Sequence, residues 1–403
     1  MKKKIALVLS GGGALGAYEV GAIKALEEIG YRFDIVTGTS IGAINGAFVC
    51  SDMMDKATKL WLDITANKVM KNGISISKEV VFNNRYGYSV SDFTTWAGLY
   101  FKNRLAVDIS PFKALVKETV DTQKIKNSSI KFGVVVTKLP TFSRVNVLVN
   151  DLPEDKIVPF LHASSACTPV FPIEIIDGVK YVDGFYNDNM PIDLAFEYGA
   201  DEVIAIDVHF FSLNHQHKAF LQYENVTYIS PMLSLGSMLD FEQQPIRQNL
   251  KRGYRDVMKH YYKMKGFLFT FRGEFPCYGF FKRIMTEFPT EADKILEIIF
   301  KDTYYHKMND EELFIRTLEL VALQNNINDD MPIYSFEEFA ALINHQRFSR
   351  DSKVSEPNET FVGRAFSKIK QKKKVSNGTS LKDRYLNFFT ENYINSLFLI
   401  DQK

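Results

Sequence analysis

Apolar residues along the chain fall into two regimes. Up to about residue 208, short runs rich in Val, Ile and Leu recur between turn-forming residues, at 5–10, 33–37, 130–137, 144–149, 173–176, 180–182 and 202–208. Such spacing predicts the strands of one central sheet flanked by helices. Asp177-Gly178 between two of the runs predicts a hairpin turn. Behind the first run, Val20, Ile23, Leu26 and Ile29 recur at helical spacing while Lys24, Glu27 and Glu28 share the other face, which predicts an amphipathic helix. A second helix of small residues is expected over 41–50, and another opening at Pro191. Past residue 210 the strand pattern fades, helical spacing takes over at 292–300, 311–323 and 335–342, and a Phe-rich terminal helix is expected from Asp383. The expected organisation is a domain over 1–210, with a helical insertion at about 51–129, and a mainly helical region over 211–403. Trp61, Leu62, Phe93, Trp96, Leu99, Tyr100 and Phe101 in that insertion either cap the core or line a groove.

Composition narrows the function classes. Lys and Arg total 49 against 48 for Asp and Glu, so the net charge of +1 gives no electrostatic basis for binding nucleic acid. Cys50, Cys167 and Cys277 are odd in number and far apart, which fits free thiols in a reducing compartment rather than a disulfide framework. No set of His, Cys and carboxylate residues has metal-ligand spacing. Lys2 to Lys4 followed by an apolar run imitate a secretory leader, but Gly11 to Gly13 break the run after about six residues, short of the ~7–15 a leader needs. It reads as a buried strand. No run reaches the ~18 apolar residues that span a bilayer. The expectation is a cytoplasmic protein that touches membranes peripherally at most.

Two glycine-framed turns carry the chemistry. Gly11, Gly13 and Gly16 satisfy the G-x-G-x-x-G pattern of a dinucleotide site after the first strand. That reading requires an acidic residue at the end of the second strand, and Asp34 precedes that strand instead. The second strand leads into Gly38-Thr39-Ser40-Ile41-Gly42, a G-x-S-x-G between a strand and a helix, the context of a nucleophile elbow. Glycines on both sides permit a tight turn that exposes the serine hydroxyl at a helix N-terminus, where the potential is positive. An attacking Ser40 generates an oxyanion, and the backbone amides of Gly11, Gly12 and Gly13 are candidate donors to it, with Gly12 and Gly13 foremost. His162 and His209 lie closest to core elements and are expected to be structural rather than a base for Ser40.

A glycine-rich turn after the first strand, then G-x-S-x-G about 25 residues later, resembles the patatin-like phospholipases. So do Val182-Asp183-Gly184-Phe185 and the small, proline-containing stretch from Ala163 to Pro172. The resemblance covers roughly residues 4 to 210, and the helix at 250–256 is similar to one that closes the family's domain. It implies a three-layer sandwich with a mostly parallel central sheet, and a Ser-Asp dyad of Ser40 and Asp183 with no histidine. Gly16, Gly38, Gly42 and Gly184 complete the motifs. It further implies hydrolysis of carboxylic esters of phospholipids or lysophospholipids, with no metal or cofactor and with a lipid or membrane surface as partner. Phe185 replaces the usual small third residue of the aspartate motif, where it either crowds the dyad or faces the acyl groove. Leu15 stands where many relatives carry a basic residue. The lysine-rich run at 366–374 suits either an anionic lipid surface or a solvated linker. Two rival readings stand beside this one: a nucleotide-binding module built on the glycine loop, and a catalytically inactive lipid-binding scaffold.

Overall fold

The computed structural model describes residues 3–71, 73, 108–208, 223–301, 303, 307–328, 332–354 and 380–398. His209, Phe93, Trp96, Leu99, Tyr100, Phe101 and the 366–374 run lie outside the described residues. The contacts divide the chain into two compact units, Met1–Tyr261 and Tyr262–Lys403.

The first unit is built on a sheet whose strands are β1 (Ile5–Leu9), β2 (Ile35–Gly38), β3 (Lys131–Leu139), β4 (Ser143–Leu148), β5 (Glu174–Ile176), β6 (Val179–Asp183), β7 (Glu202–Ile206) and β8 (Val226–Ile229). They lie in the order β5-β6-β3-β2-β1-β7-β8, with β4 also paired to β3. β3, β2, β1, β7 and β8 run parallel, and β4, β5 and β6 add antiparallel pairs at one side. Each strand expected from the sequence is present, and β8, which carries only four residues, is an addition to them.

Side-chain alternation gives the sheet two buried faces. On one, Leu7, Leu9, Val36, Phe132, Val134 and Val136 join a large core with α1 (Gly16–Glu28), α2 (Ile41–Cys50), α3 (Met54–Asp63) and α7 (Glu154–Ser164). The shorter helices α4 (Ala66–Val69), α5 (Ser110–Thr119) and α6 (Thr122–Lys126) extend that layer. On the other face, Ala6, Val8, Val203 and Ala205 pack against Ile192 and Ala195 of α8 (Ile192–Glu197). Helix, sheet and helix form three layers, and each fully buried Leu, Ile or Val contributes about 1.5–3 kcal/mol.

α1 keeps the expected faces, with Val20, Ile23 and Leu26 buried and Lys24, Glu27 and Glu28 not, but its first half is buried all round, residues 16–23 and Glu19 included. The cause is α9 (Gln243–Tyr262), which lies against it and belongs to the first unit. The two helices meet backbone to backbone: a Cβ on Gly253 would stand 1.8 Å from the Tyr18 carbonyl oxygen, and one on Gly21 would stand 1.9 Å from that of Leu250. Tyr18 Oη donates to Asp256 at 3.0 Å beside this contact.

The second unit holds α10 (Phe280–Glu287), α11 (Ala292–Phe300), α12 (Asp310–Gln324), α13 (Phe336–Val354), α14 (Leu381–Phe389) and a two-stranded pairing of β9 (Thr270–Phe271) with β10 (Ile333–Tyr334). Phenylalanine dominates its core: Phe314 packs its ring against Phe280, Phe336 and Phe389 at centroid distances of 5.3, 5.5 and 4.9 Å. Buried Glu319 accepts the amides of Phe267, Leu268 and Phe269 at 2.8, 2.7 and 3.0 Å and pairs with Arg316 at 3.1 Å.

Candidate active site

Strand β3 explains how residues 40 and 183 come together. Residues 133–138 of β3 pair with β4 along one edge. The opposite edge is shared by two strands meeting head to head: β2 runs parallel to β3 and ends with Gly38 beside Val134, while β6 runs antiparallel and ends with Asp183 beside Val136. The chain leaves both strands at Val135. Ser40 Oγ there donates to Asp183 Oδ2 at 2.7 Å, although the two residues are 143 positions apart.

The turn that presents Ser40 is strained. Its backbone sits at φ 56°, ψ −123°, which costs a non-glycine residue on the order of 1–3 kcal/mol. Neighbouring groups hold it there: Thr39 Oγ1 donates to the Asp188 carbonyl at 2.8 Å, and the Ser40 amide donates to Ser164 Oγ at 3.0 Å. Ser164 Oγ in turn donates to the Val135 carbonyl at 2.8 Å, which locks the elbow to the strand junction. The sequence carries no sign of this role beyond the place of Ser164 in the small-residue stretch. Ser164→Ala is expected to leave a buried amide and carbonyl unpaired and to cost about 1–3 kcal/mol of stability, read by urea denaturation.

The remaining motif glycines are sites of close approach. A Cβ on Gly42 would stand 2.5 Å from the Leu9 carbonyl oxygen, one on Gly184 2.3 Å from that of Val135, one on Gly38 2.6 Å from that of Gly42, and one on Gly16 2.6 Å from Ile41 Cγ1.

The glycine loop lies beside the serine, and its three amides differ. That of Gly11 is engaged by Asn189, through the carbonyl oxygen at 3.2 Å and Oδ1 at 3.1 Å, while Asn189 Nδ2 donates back to the Gly11 carbonyl at 3.2 Å. Gly11 therefore anchors the loop, and its amide is occupied. The amides of Gly12 and Gly13 have no partner among the described residues, and both residues line the pocket with Ser40. Gly13 sits at φ +57°, and a Cβ on it would stand 2.5 Å from the Met238 carbonyl oxygen, so only glycine fits. Asn189 has no motif of its own in the sequence.

Asp183 is fully buried. Burial pushes its carboxyl up to about 7, against the opposing pull of the hydrogen bonds from the Phe185 amide and Ser40. The Phe185 amide donates to Oδ1 at 2.9 Å, leaving Oδ2 for the serine. The Phe185 ring lines the pocket, so it faces the groove, and Leu15 is buried in the core. His162 sits on α7 with its ring 5.9 Å from that of Phe112, and burial, then the charge of Lys113, depress it to about 4. It is a neutral core imidazole with no hydrogen bond to Ser40.

The pocket above the dyad has about 920 Å³ of empty space, its open mouth included. Its walls come from α2, α3 and α5 (Ile44, Trp61, Phe112, Val116), from the 165–171 segment, and from Met238, Leu239 and Phe241. Trp61 both caps the core and lines the groove, so the two roles expected of the insertion coincide in one residue. Its indole donates to Asn45 Oδ1 at 3.1 Å, and Asn45 Nδ2 donates to Glu19 at 2.8 Å and to the Gly16 carbonyl at 3.0 Å. Burial pushes the Glu19 carboxyl well above the usual range, and its side chain links the pocket wall to the helix behind the glycine loop. Asp183 is the one Asp, Glu, Lys or Arg among the described lining residues.

Residues 7–196 match the family profile for the patatin-like phospholipases. Patatin-like phospholipase domain-containing protein 6 of Homo sapiens is 31% identical over 206 residues, 51% of this chain and 13% of that protein. Neuropathy target esterase sws of Drosophila melanogaster is 29% identical over 206 residues, again 51% of this chain and 13% of the relative. Lysophospholipase NTE1 of Mycosarcoma maydis is 30% identical over 204 residues, 51% of this chain and 10% of the relative. The chain thus spans a small part of the length of these relatives. The crystal structure of VipD from Legionella pneumophila aligns over 89% of each chain at 14% identity, with a TM-score of 0.42. Over residues 7–196, a little under half of its length, the chain is similar to the patatin-like phospholipase family.

Proposed function

We propose that the chain is a serine hydrolase that cleaves carboxylic esters of phospholipids or lysophospholipids through a Ser40–Asp183 dyad. The observation that carries this reading is the 2.7 Å hydrogen bond from the serine hydroxyl to a buried carboxylate at the base of an apolar pocket. Asp183 as carboxylate takes the proton of Ser40 Oγ as that oxygen attacks the ester carbonyl. The carbonyl oxygen becomes an oxyanion that accepts the unengaged amides of Gly12 and Gly13, and loss of one such donor typically costs ~3–4 kcal/mol of barrier. Protonated Asp183 then gives its proton to the leaving alcohol. An acyl group remains on Ser40, and a water deprotonated by Asp183 releases it as the free acid. A carboxyl at about 7 suits both steps, since it holds and returns a proton near neutral pH.

An apolar wall accepts hydrocarbon and excludes water from the oxyanion, which supports a lipid acyl chain as the group bound. Among the described residues, no helix is long and apolar enough to cross a membrane, so the reading adds peripheral association with the lipid. The test is labelling with a fluorophosphonate probe, paired with hydrolysis of lysophosphatidylcholine. Wild-type protein should label at Ser40 and release fatty acid, and Ser40→Ala should do neither. Labelling that persists in Ser40→Ala would refute the nucleophile. Protein that binds lipid but neither labels nor hydrolyses would point to a scaffold.

A further inference from the structure

We propose that the hairpin joining β3 to β4 is a membrane-docking tip that seats the mouth of the pocket on an anionic phospholipid surface. Phe142 stands at the turn of that hairpin, 51% exposed, in a left-handed conformation at φ 56°. A bulky aromatic residue gains nothing locally from that backbone, which glycine or asparagine adopts more easily. Its ring is not isolated. It packs on Tyr186 at 5.5 Å, and Tyr186 packs on Phe185 at 4.0 Å. Phe185 lines the pocket, so a continuous aromatic row leads from the pocket wall to the outermost point of the hairpin. The Asn187 side chain fixes the tip by donating to the Phe142 carbonyl at 3.3 Å.

A second strip of apolar surface leaves the same pocket. Phe171 lines it, and the chain then emerges through Ile173 and Ile175, exposed by 40% and 60%. Ile175 pairs in register with Lys180, and Lys180 with Leu139, the last residue of β3 before the hairpin turn. Lys180 and Lys138 are both exposed, and neither has a carboxylate partner among the described residues. Exposed apolar residues beside unpaired lysines complement a bilayer whose interior is hydrocarbon and whose surface is negative. The continuity of both strips with the pocket selects a lipid surface over a protein partner, because a membrane-bound substrate must leave the bilayer through the surface that contacts it. This inference rests on the reading of the pocket as a lipid acyl site.

The test uses the full chain and vesicles of phosphatidylcholine, alone or with phosphatidylserine, measured by co-sedimentation. Phe142→Gly removes the ring and relaxes the backbone, so its melting temperature should equal or exceed that of wild type. Its vesicle affinity should fall about tenfold, as expected for one lost buried phenylalanine. Hydrolysis of a soluble short-chain ester should stay within about twofold, since Phe142 does not line the pocket. The pair Lys138→Gln and Lys180→Gln should remove most of the gain given by phosphatidylserine, about fivefold per lysine at low salt. Vesicle affinity unchanged in both variants, or wild-type protein that ignores vesicles, overturns the proposal. So does a Phe142→Gly variant that changes oligomeric state in sedimentation and keeps its vesicle affinity, which would mark the tip as a protein interface. Wild-type protein that binds vesicles through these residues yet hydrolyses no ester would sink the enzymatic reading and spare the docking surface.

Discussion

Asp183→Asn should give a protein that folds, keeps its pocket and turns over esters at least about 10³-fold more slowly, since the base proposed for Ser40 is gone. An amide fits the same site: its oxygen accepts the Phe185 amide that Asp183 Oδ1 accepts at 2.9 Å, and its NH₂ reverses the bond to Ser40. The pH behaviour separates this variant from a merely damaged one. The carboxyl titrates at about 7 in the folded chain because burial disfavours its charge, against about 3.9 when unfolded. Folding therefore favours the protonated form. The stability this gives is fully present below about pH 4 and is lost as the pH rises through 7. Wild-type protein should lose on the order of 4 kcal/mol across that window from this group, and Asp183→Asn should lose none of it. The variant is accordingly expected to gain on wild type in denaturant midpoint from pH 5 to pH 8. In wild type, kcat/KM for a soluble ester should climb over the same interval with a midpoint near 7, as the active carboxylate forms. A flat rate profile from pH 5 to 9 would remove Asp183 from the role of base.

The second large effect concerns support rather than chemistry. Gly253→Ala places a Cβ 1.8 Å from the Tyr18 carbonyl oxygen, and the obstacle is backbone, which no rotamer change relieves. α1 and α9 must then separate along a contact that includes Gly21 and the Tyr18–Asp256 hydrogen bond. The cost should be about 3 kcal/mol or more, a drop of roughly 6–12 °C in Tm for a unit of this size. Gly30→Ala supplies the contrast, because nothing lies within 4 Å of its Cβ position and the penalty comes only from its φ of +99°. Ester turnover should fall with the Gly253 variant even below its melting temperature, since α1 begins at Gly16, directly after the loop that offers the Gly12 and Gly13 amides.

The parts of the site that are legible in the sequence are those in which one short segment contains its own reason. The elbow at Ser40 needs small residues on both sides, the glycine loop needs positive φ at Gly13, and each strand declares itself by a run of apolar residues between turns. α2 occupies Ile41–Cys50 as its small-residue pattern predicts. Asp183 is legible by its motif, while its raised pKa is not, because burial arises from packing by segments far away in the chain. Residues whose role lies in tying two such segments together escape the sequence for the same reason. Asn189 holds the glycine loop across 178 positions, and Ser164 holds the elbow across 124. α1 reads as half exposed in the sequence because its cover, α9, starts more than 200 residues later and announces its contact only through Gly253. Residues 211–261 contain few apolar runs of strand length, yet β8 and α9 complete the first unit.

Because β2 and β6 abut on one edge of β3, that strand acts as a ruler between Ser40 and Asp183. A growing polypeptide that has emerged as far as residue 150 already contains Ser40, the glycine loop and the ruler, but lacks Asp183. The Ser40–Asp183 hydrogen bond forms only when the segment ending at residue 183 closes the gap at Val135. On the function proposed above, hydrolytic power would thus be withheld from every shorter folding intermediate, a safeguard written into topology.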